Sequence, residues 1–361
     1  MFKIIKNTAV IIIIITAAYF CLVYPSEIGD EVQNAINRCF KIIIQSMFIF
    51  LCITSFISAS GVHSLIGMPF RFISEKIFHI PKEGFAIFLL SMISGYPAGI
   101  KLVTESFKKG DITSKQAKAM ECFCCCGGPA FISGTAAAFL YPDSNAASLL
   151  FVSIITANIL TAFILTRRLP SIKKSSKKSV SIRANQFIPS VKSASSAMLQ
   201  MCVMIAAFGG ICCILKLTGI IDILSYYTNC ITGISTDTSK SIIMSFLEIS
   251  NIVTLPAIQT GLFPIVSFLL SFGGICVILQ IAALADSNFN LVNFLIARLF
   301  SALISSVISY FLIPFLNIDT PCSSSFSIIS ESKYSPLPTI LLIIMMMMLL
   351  GLFGENKKSS D

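Results

Sequence analysis

Long apolar runs, separated by shorter polar segments, dominate the chain. Eight of them approach or exceed the ~18–20 residues that span a bilayer, and they cover roughly residues 8–24, 41–60, 121–141, 147–166, 195–217, 264–285, 291–316 and 338–354. Two further apolar segments, 85–104 and 241–261, contain helix-breaking and polar residues. The pattern predicts an all-α polytopic membrane protein with about eight transmembrane helices, and it leaves the two broken segments to be explained.

Composition supports a membrane location. The 361 residues are 55% hydrophobic and only 12% charged, whereas soluble domains carry about 25% charged residues. The net charge of +9 is expected of lysines at the cytoplasmic face, so it indicates a lipid bilayer as partner and no nucleic acid. The 13 cysteines lie mostly within apolar runs, which argues against a disulfide framework.

The distribution of basic residues predicts which loops are cytoplasmic. The loop 167–194 contains eight basic residues and no acid, so it should be cytoplasmic. Alternating the spans backwards from it places 105–120 inside. From the other end, Lys3 and Lys6 place the N-terminus inside, and span 41–60 returns the chain to the cytoplasmic side. The C-terminal tail also reads as internal. Both flanks of 85–104 are then cytoplasmic. This segment should therefore enter the membrane and turn back as a re-entrant hairpin.

The second half of the chain repeats this arrangement upside down. The loop 218–240 reads as external, so 241–261 becomes a second re-entrant hairpin that enters from the opposite face. The predicted organisation is an N-terminal signal-anchor helix and external loop (1–40), a first repeat (41–166), a basic cytoplasmic linker (167–194), a second, inverted repeat (195–316), and an external loop with a C-terminal helix and tail (317–361). Inverted-topology repeats with broken helices are typical of secondary transporters. The alternative is ten ordinary spans, in which Pro97 and Pro256 are simple kinks.

The helix breaks supply the candidate packing residues, since irregular backbone at membrane depth needs burial in protein or a cavity to line. We expect Gly95, Pro97, Gly99 and Pro256 to shape the two breaks. The remaining candidates, Gly128, Pro129, Gly273 and Gly274, are small-residue steps within spans that let a hairpin backbone pack close.

The candidate solute-binding residues are the polar side chains near the breaks. Glu248 is the only acidic residue deep in an apolar run, and a carboxylate in lipid is a functional candidate by default. Asn251 lies one helical turn later, so a purely structural Glu–Asn hydrogen bond is the alternative. The full candidate set is Ser94, Tyr96, Glu248, Asn251, Thr254 and Gln280. Lys101 is expected to extend to the cytoplasmic surface, and Tyr96 either stacks on a ring or seals the hairpin.

Catalytic and metal chemistry find little support in the sequence. No glycine-rich phosphate loop, nucleophile elbow or pair of carboxylates is present. The run "CFCCCGGPAF" at 122–131 lacks the second ligand pair that zinc sites have. We therefore expect no enzyme activity, no metal and no cofactor.

The stretch "SGYPAGIKLVTESFKKGDITSKQAKAMECFCCCGGPAFISGT" at 94–135 resembles the signature of the YlbJ-type sporulation integral membrane proteins, within the nucleoside-recognition (Gate-domain) membrane family. "LEISN" and "LLSFGGICVILQ" resemble its second-half motifs, and the likeness covers roughly 40–315. The resemblance implies a bacterial inner-membrane protein of endospore formation, associated with cortex assembly. In this family two asparagines usually stand where this chain has Cys125 and Cys126, so solute specificity would be changed or lost.

Three functions are therefore compared. The first is a secondary transporter of a small polar, nucleoside-like solute, located in the cell membrane with both termini cytoplasmic. The second is a non-transporting assembly factor that holds sporulation membrane proteins or a second copy of itself. The third, a membrane-embedded enzyme, is weakened by the presence of a single buried acid.

Overall fold

The computed structural model describes residues 2–141, 144–167, 169, 184–257, 259–285 and 289–316. All regular structure within these residues is helical. The helices are α1 (Phe2–Val23), α2 (Pro25–Arg38), α3 (Gln45–Ser60), α4 (His63–Ile66), α5 (Arg71–Lys76), α6 (Lys82–Ser94), α7 (Ala98–Lys108), α8 (Ser114–Phe123), α9 (Pro129–Ile132), α10 (Ala138–Leu140), α11 (Ser144–Thr166), α12 (Phe187–Leu217), α13 (Ile220–Thr232), α14 (Thr236–Leu247), α15 (Phe263–Phe272), α16 (Gly274–Leu284) and α17 (Leu291–Leu312).

Five helices in the described residues are long and apolar enough to cross a membrane. They confirm five of the expected spans, and their bounds are Pro25–Ser60, Asn145–Thr166, Phe187–Leu217, Thr260–Leu284 and Leu291–Phe315. The protein is thus an all-helical integral membrane protein. The shorter apolar helix Val10–Val23 covers the first expected span. The last expected span, 338–354, and most of the basic linker lie outside the described residues.

Two expectations about local structure are wrong. The expected span 121–141 is not one helix, because α8 ends at Phe123 and the chain is not helical again until α9 begins at Pro129. Most of the residues expected to form an external loop before position 40 are helical instead, as α2. The π-helical segment Cys39–Ile44 joins α2 to α3, which makes one helix longer than a bilayer is thick.

The two halves of the chain pack against each other through their first and last long helices. Helix α12 contacts α2 and α3, and α11 contacts α17. Helix α15 also lies against α17, where buried serines replace apolar side chains. The Ser267 hydroxyl is 2.9 Å from that of Ser153 and 2.7 Å from that of Ser305. Small residues and interhelical hydrogen bonds of this kind are what hold helices together in lipid.

Candidate functional site

The first break lies between α6 and α7. Helix α6 ends at Ser94, and Gly95 has a φ of +75°, a left-handed conformation that favours glycine. The Tyr96–Pro97 peptide bond is cis, and α7 begins at Ala98. Helices α6 and α7 pack against each other, so the chain turns back at this point.

A second irregular segment, Cys124–Gly128, lies directly against this turn. The Tyr96 amide donates a hydrogen bond to the Cys126 carbonyl over 2.8 Å. A Cβ added to Gly95 would lie 2.8 Å from the Gly128 nitrogen, and one added to Gly99 would lie 2.0 Å from the Cys124 carbonyl oxygen. At both glycines a side chain would collide with the backbone of the neighbouring segment.

The second half contains an equivalent pair of breaks. Helix α14 ends at Leu247, Glu248 is extended, and Ile249–Thr254 forms a 3-10 helix that ends before Pro256. Gly273 and Gly274, with φ of +91° and +80°, separate α15 from α16. A Cβ on Gly274 would lie 3.3 Å from the Ile249 nitrogen, so this glycine step packs on the end of α14.

Tyr96 joins the two pairs of breaks. Its side chain is buried, and a Cβ on Gly273 would lie 3.5 Å from its ring. The ring also makes an edge-to-face contact with Phe131, with centroids 6.0 Å apart. Gly274, the neighbour of Gly273, packs on the residue that follows Glu248. The structure therefore brings Tyr96, Gly273 and Glu248, which are distant in sequence, into one buried region.

Glu248 is fully buried within a hydrogen-bonded chain of three residues. One carboxylate oxygen accepts from the Ser250 amide over 3.0 Å, and the other accepts from the Ser250 hydroxyl. That hydroxyl in turn accepts from Nε of Arg38 over 3.2 Å. The alternative considered above, a structural Glu248–Asn251 side-chain bond, does not form, because the Asn251 amide donates to the Met244 carbonyl.

The remaining candidate polar residues are in different environments. Ser94 is buried and donates to the Leu90 carbonyl within its own helix. Gln280 is buried, and its amide oxygen has no partner. Thr254 is exposed. Lys101, expected to extend to the surface, is half-buried and donates to the Ser193 carbonyl on α12 over 3.1 Å.

Sequence reasoning missed two arginines. Arg38 was counted as part of an external loop, although it stands directly before an apolar run. Arg298 is the single charged residue of the expected span 291–316, and that position in an apolar run is the signal that marks it. It is fully buried and donates to Asn158 Oδ1 over 2.9 Å and to the Ser271 carbonyl.

The cysteines of the break segment do not assemble a metal site. Within the described residues, no group of three or more His, Cys, Asp or Glu side chains could hold a metal ion. Cys124, Cys125 and Cys126 are buried free thiols, and the Cys126 sulfur is 3.6 Å from that of Met92. They act as small buried side chains beside Tyr96.

Comparison with known proteins gives one distant likeness. The chain is 21% identical over 316 residues, which cover 79% of it and 77% of the other protein, to the sporulation integral membrane protein YlbJ of Bacillus subtilis (strain 168). No protein-family model matches the chain, and no solved structure matches it. The name of this relative agrees with the sporulation and membrane parts of the resemblance and does not mention nucleosides. The likeness extends over most of both chains, so it is not confined to the motif at 94–135.

Proposed function

We propose that this protein is a secondary transporter of a small polar solute in the cell membrane, acting during endospore formation. The observation that carries the proposal is the meeting of two pairs of broken helices around buried Tyr96 and Glu248. Broken helices that meet at a repeat interface are the usual site of substrate binding in secondary transporters.

On this proposal the halves are inverted repeats, and the two hairpins enter from opposite faces with both termini in the cytoplasm. Each half then supplies one broken hairpin and one broken span. The similar packing of Gly99 on Cys124 and of Gly274 on Ile249 supports the pairing. Rocking of one repeat against the other would expose the region around Tyr96 to each side in turn.

The proposed solute is nucleoside-like, which follows from the family resemblance. An aromatic ring such as Tyr96 offers a flat surface for a base, and Glu248 would accept hydrogen bonds from ribose hydroxyls or a base amine. The role in sporulation follows from the name of the similar protein. We propose no catalytic activity, because the sequence contains no glycine-rich phosphate loop and no nucleophile elbow.

A specific observation favours a second candidate, a non-transporting assembly factor. The Glu248 carboxylate accepts hydrogen bonds at both of its oxygens from Ser250, and Arg38 supports that serine. A buried network satisfied in this way stabilises a fold without any ligand. In such a protein the charge of Glu248 would fasten the second hairpin to α2.

Solute uptake, measured for wild type and for Glu248→Gln, distinguishes the two candidates, because an assembly factor takes up no solute in either form. Glutamine keeps the shape and can still accept from the Ser250 amide, so the protein should insert and accumulate normally. Glu75→Gln is the matched control, because Glu75 forms only a surface pair with Arg71. Transport predicts that Glu248→Gln abolishes sporulation and the uptake of radiolabelled uridine or adenosine into proteoliposomes, whereas Glu75→Gln does neither. Normal sporulation of cells carrying Glu248→Gln would show that the charge is not functional. Wild-type proteoliposomes that take up neither nucleoside would contradict the proposed solute.

A further inference from the structure

Arg298 is a cation in the interior of a membrane-spanning helix, with no measurable exposure to solvent. Charged side chains at this depth are costly and are usually paired with one another or with backbone carbonyls. Two of its nitrogens have such partners, because Nη1 donates to Asn158 and Nη2 donates to the Ser271 carbonyl at the end of α15. Its third nitrogen, Nε, is buried without a partner.

No carboxylate neutralises this guanidinium directly. The ion pairs found among the described residues do not include Arg298. The buried Glu248 does not pair with it, because its two oxygens accept from Ser250. Tyr96 lies near the guanidinium, since its ring packs on Gly273, two residues after the Ser271 carbonyl that Arg298 binds. Asn158 and Ser271 provide dipoles only, so the positive charge of Arg298 is left without a contacting negative group.

Two hydrogen-bond donors near Arg298, the Asn158 amide nitrogen and the Tyr96 hydroxyl, also lack an acceptor. Asn158 must direct its Oδ1 at Arg298, since a guanidinium only donates, and Oδ1 also lies 3.2 Å from the Ser301 hydroxyl. Its Nδ2 is therefore fixed as a donor, and that atom is buried with no partner. The Tyr96 hydroxyl is likewise buried and without a partner.

We propose that Arg298 and Asn158, with the Tyr96 hydroxyl, form a binding site for an anion that accepts hydrogen bonds. Water could satisfy the two orphaned N–H donors, but only an anion also neutralises the guanidinium. A halide or the oxygen of a carboxylate or phosphate has this chemistry. The site goes beyond the proposed transport function, since anion binding at Arg298 requires neither uptake of a solute nor a charge at Glu248.

Thermal unfolding of the purified full-length protein in detergent tests the site. The protein is kept in a buffer whose only anion is a bulky sulfonate. Potassium chloride, acetate or inorganic phosphate then replaces part of that sulfonate at constant ionic strength. A ligand that binds only the folded state raises the melting temperature in proportion to the logarithm of its concentration above its Kd. We expect at least one of the three anions to raise the wild-type melting temperature in this way. The anion that does so identifies the source as halide, carboxylate or phosphate.

The Asn158→Asp variant provides the decisive comparison, because it places a carboxylate on Arg298 within the protein itself. It should melt at a higher temperature than wild type in sulfonate buffer and lose the anion-dependent shift. Asn145→Asp is the matched control, since it makes the same change at an exposed position of the same helix, and it should keep the shift. The proposal is overturned if none of the three anions stabilises the wild type, or if Asn158→Asp responds to them as the wild type does.

Discussion

Replacement of Gly99 by alanine should be one of the most damaging single-methyl additions in this protein. Gly99 lies in the first turn of α7, and its Cβ position is 2.0 Å from the Cys124 carbonyl oxygen and 2.6 Å from Cβ of Ser91. The first of these contacts is with backbone, which cannot rotate away as a side chain would. Accommodating the methyl group therefore requires α7 and the Cys124–Gly128 segment to move apart by more than 1 Å, to reach the ~3.0–3.4 Å of tight real contacts.

The magnitude follows from two opposing effects. Alanine is favoured over glycine in a helix by at most about 1 kcal/mol. Overpacking a buried site by one methyl group costs about 1–3 kcal/mol and more where the backbone must shift. Gly29 is a suitable control, because it also lies in a helix and nothing lies within 4 Å of its Cβ position. Gly29→Ala should therefore stabilise the protein slightly. Because both glycines lie in helices, the propensity gain cancels between the variants, and they should differ by the overpacking cost of about 1–3 kcal/mol or more.

Unfolding can be followed with a thiol-reactive fluorophore, since most of the free cysteines in the described residues are buried and react only when the protein opens. Gly99→Ala should melt several degrees below wild type, and Gly29→Ala at or above it. Because the methyl group also separates the two segments beside Tyr96, transport should fall even at temperatures where the variant remains folded. A melting temperature of Gly99→Ala equal to that of Gly29→Ala would refute the close approach of the two backbones.

Two further predictions concern the side of the membrane proposed to be cytoplasmic. Burial holds the pKa of the His63 imidazole below 6.5, although the Asp111 carboxylate lies 3.7 Å away. As the pH falls, the unfolded state therefore binds the proton before the folded state does. The free energy of unfolding should be highest above pH 6.5 and should fall as the pH drops through the folded-state pKa. His63→Asn should flatten the melting temperature between pH 8 and 5, and an unchanged profile would exclude His63 as its source. In a background without native cysteines, Lys109→Cys should react with membrane-impermeant thiol reagents only from the cytoplasmic side. A cysteine restored at exposed position 230 should react only from outside. Labelling of both positions from the same side would contradict the proposed inverted repeat.

The long helices could be predicted from the sequence because a membrane-spanning helix needs only a continuous apolar run, which is visible without knowledge of tertiary contacts. The expected spans 147–166 and 291–316 differ from the helices Asn145–Thr166 and Leu291–Phe315 by only a few residues. The helix over Pro25–Ser60 began earlier than expected, since "PSEIGDEVQNAINR" is polar enough to resemble a loop. The first part of this helix packs on α12. Because α12 is more than 150 residues away in sequence, the local sequence pattern does not indicate that contact.

The breaks were harder to locate than the spans. Gly95 and Pro97 marked the first turn correctly, because glycine and proline interrupt helices for reasons internal to the backbone. The break at Cys124–Gly128 was missed, since four of the six residues from Cys122 to Gly127 are cysteines, which look apolar and say little about backbone conformation. Its extended shape depends on the bond between the Tyr96 amide and the Cys126 carbonyl, which is a tertiary contact.

The two pairs of breaks are held by different forces, and this has a consequence for function. Backbone groups freed by a break at membrane depth must be satisfied within the protein. At the first pair, backbone bonds to backbone and glycines allow the approach, so its geometry does not depend on any charge. At the second pair, Arg38 reaches Ser250 and Arg298 reaches the Ser271 carbonyl, so each break is tied by a cation from another helix. A proton, a cation or an anion that changes the charge near Glu248 or Arg298 would therefore act on the hydrogen bonds that tie the second pair. On the proposed transport function, the first pair would be the rigid side of the site, and the second would be the side on which a ligand alters the packing of the helices.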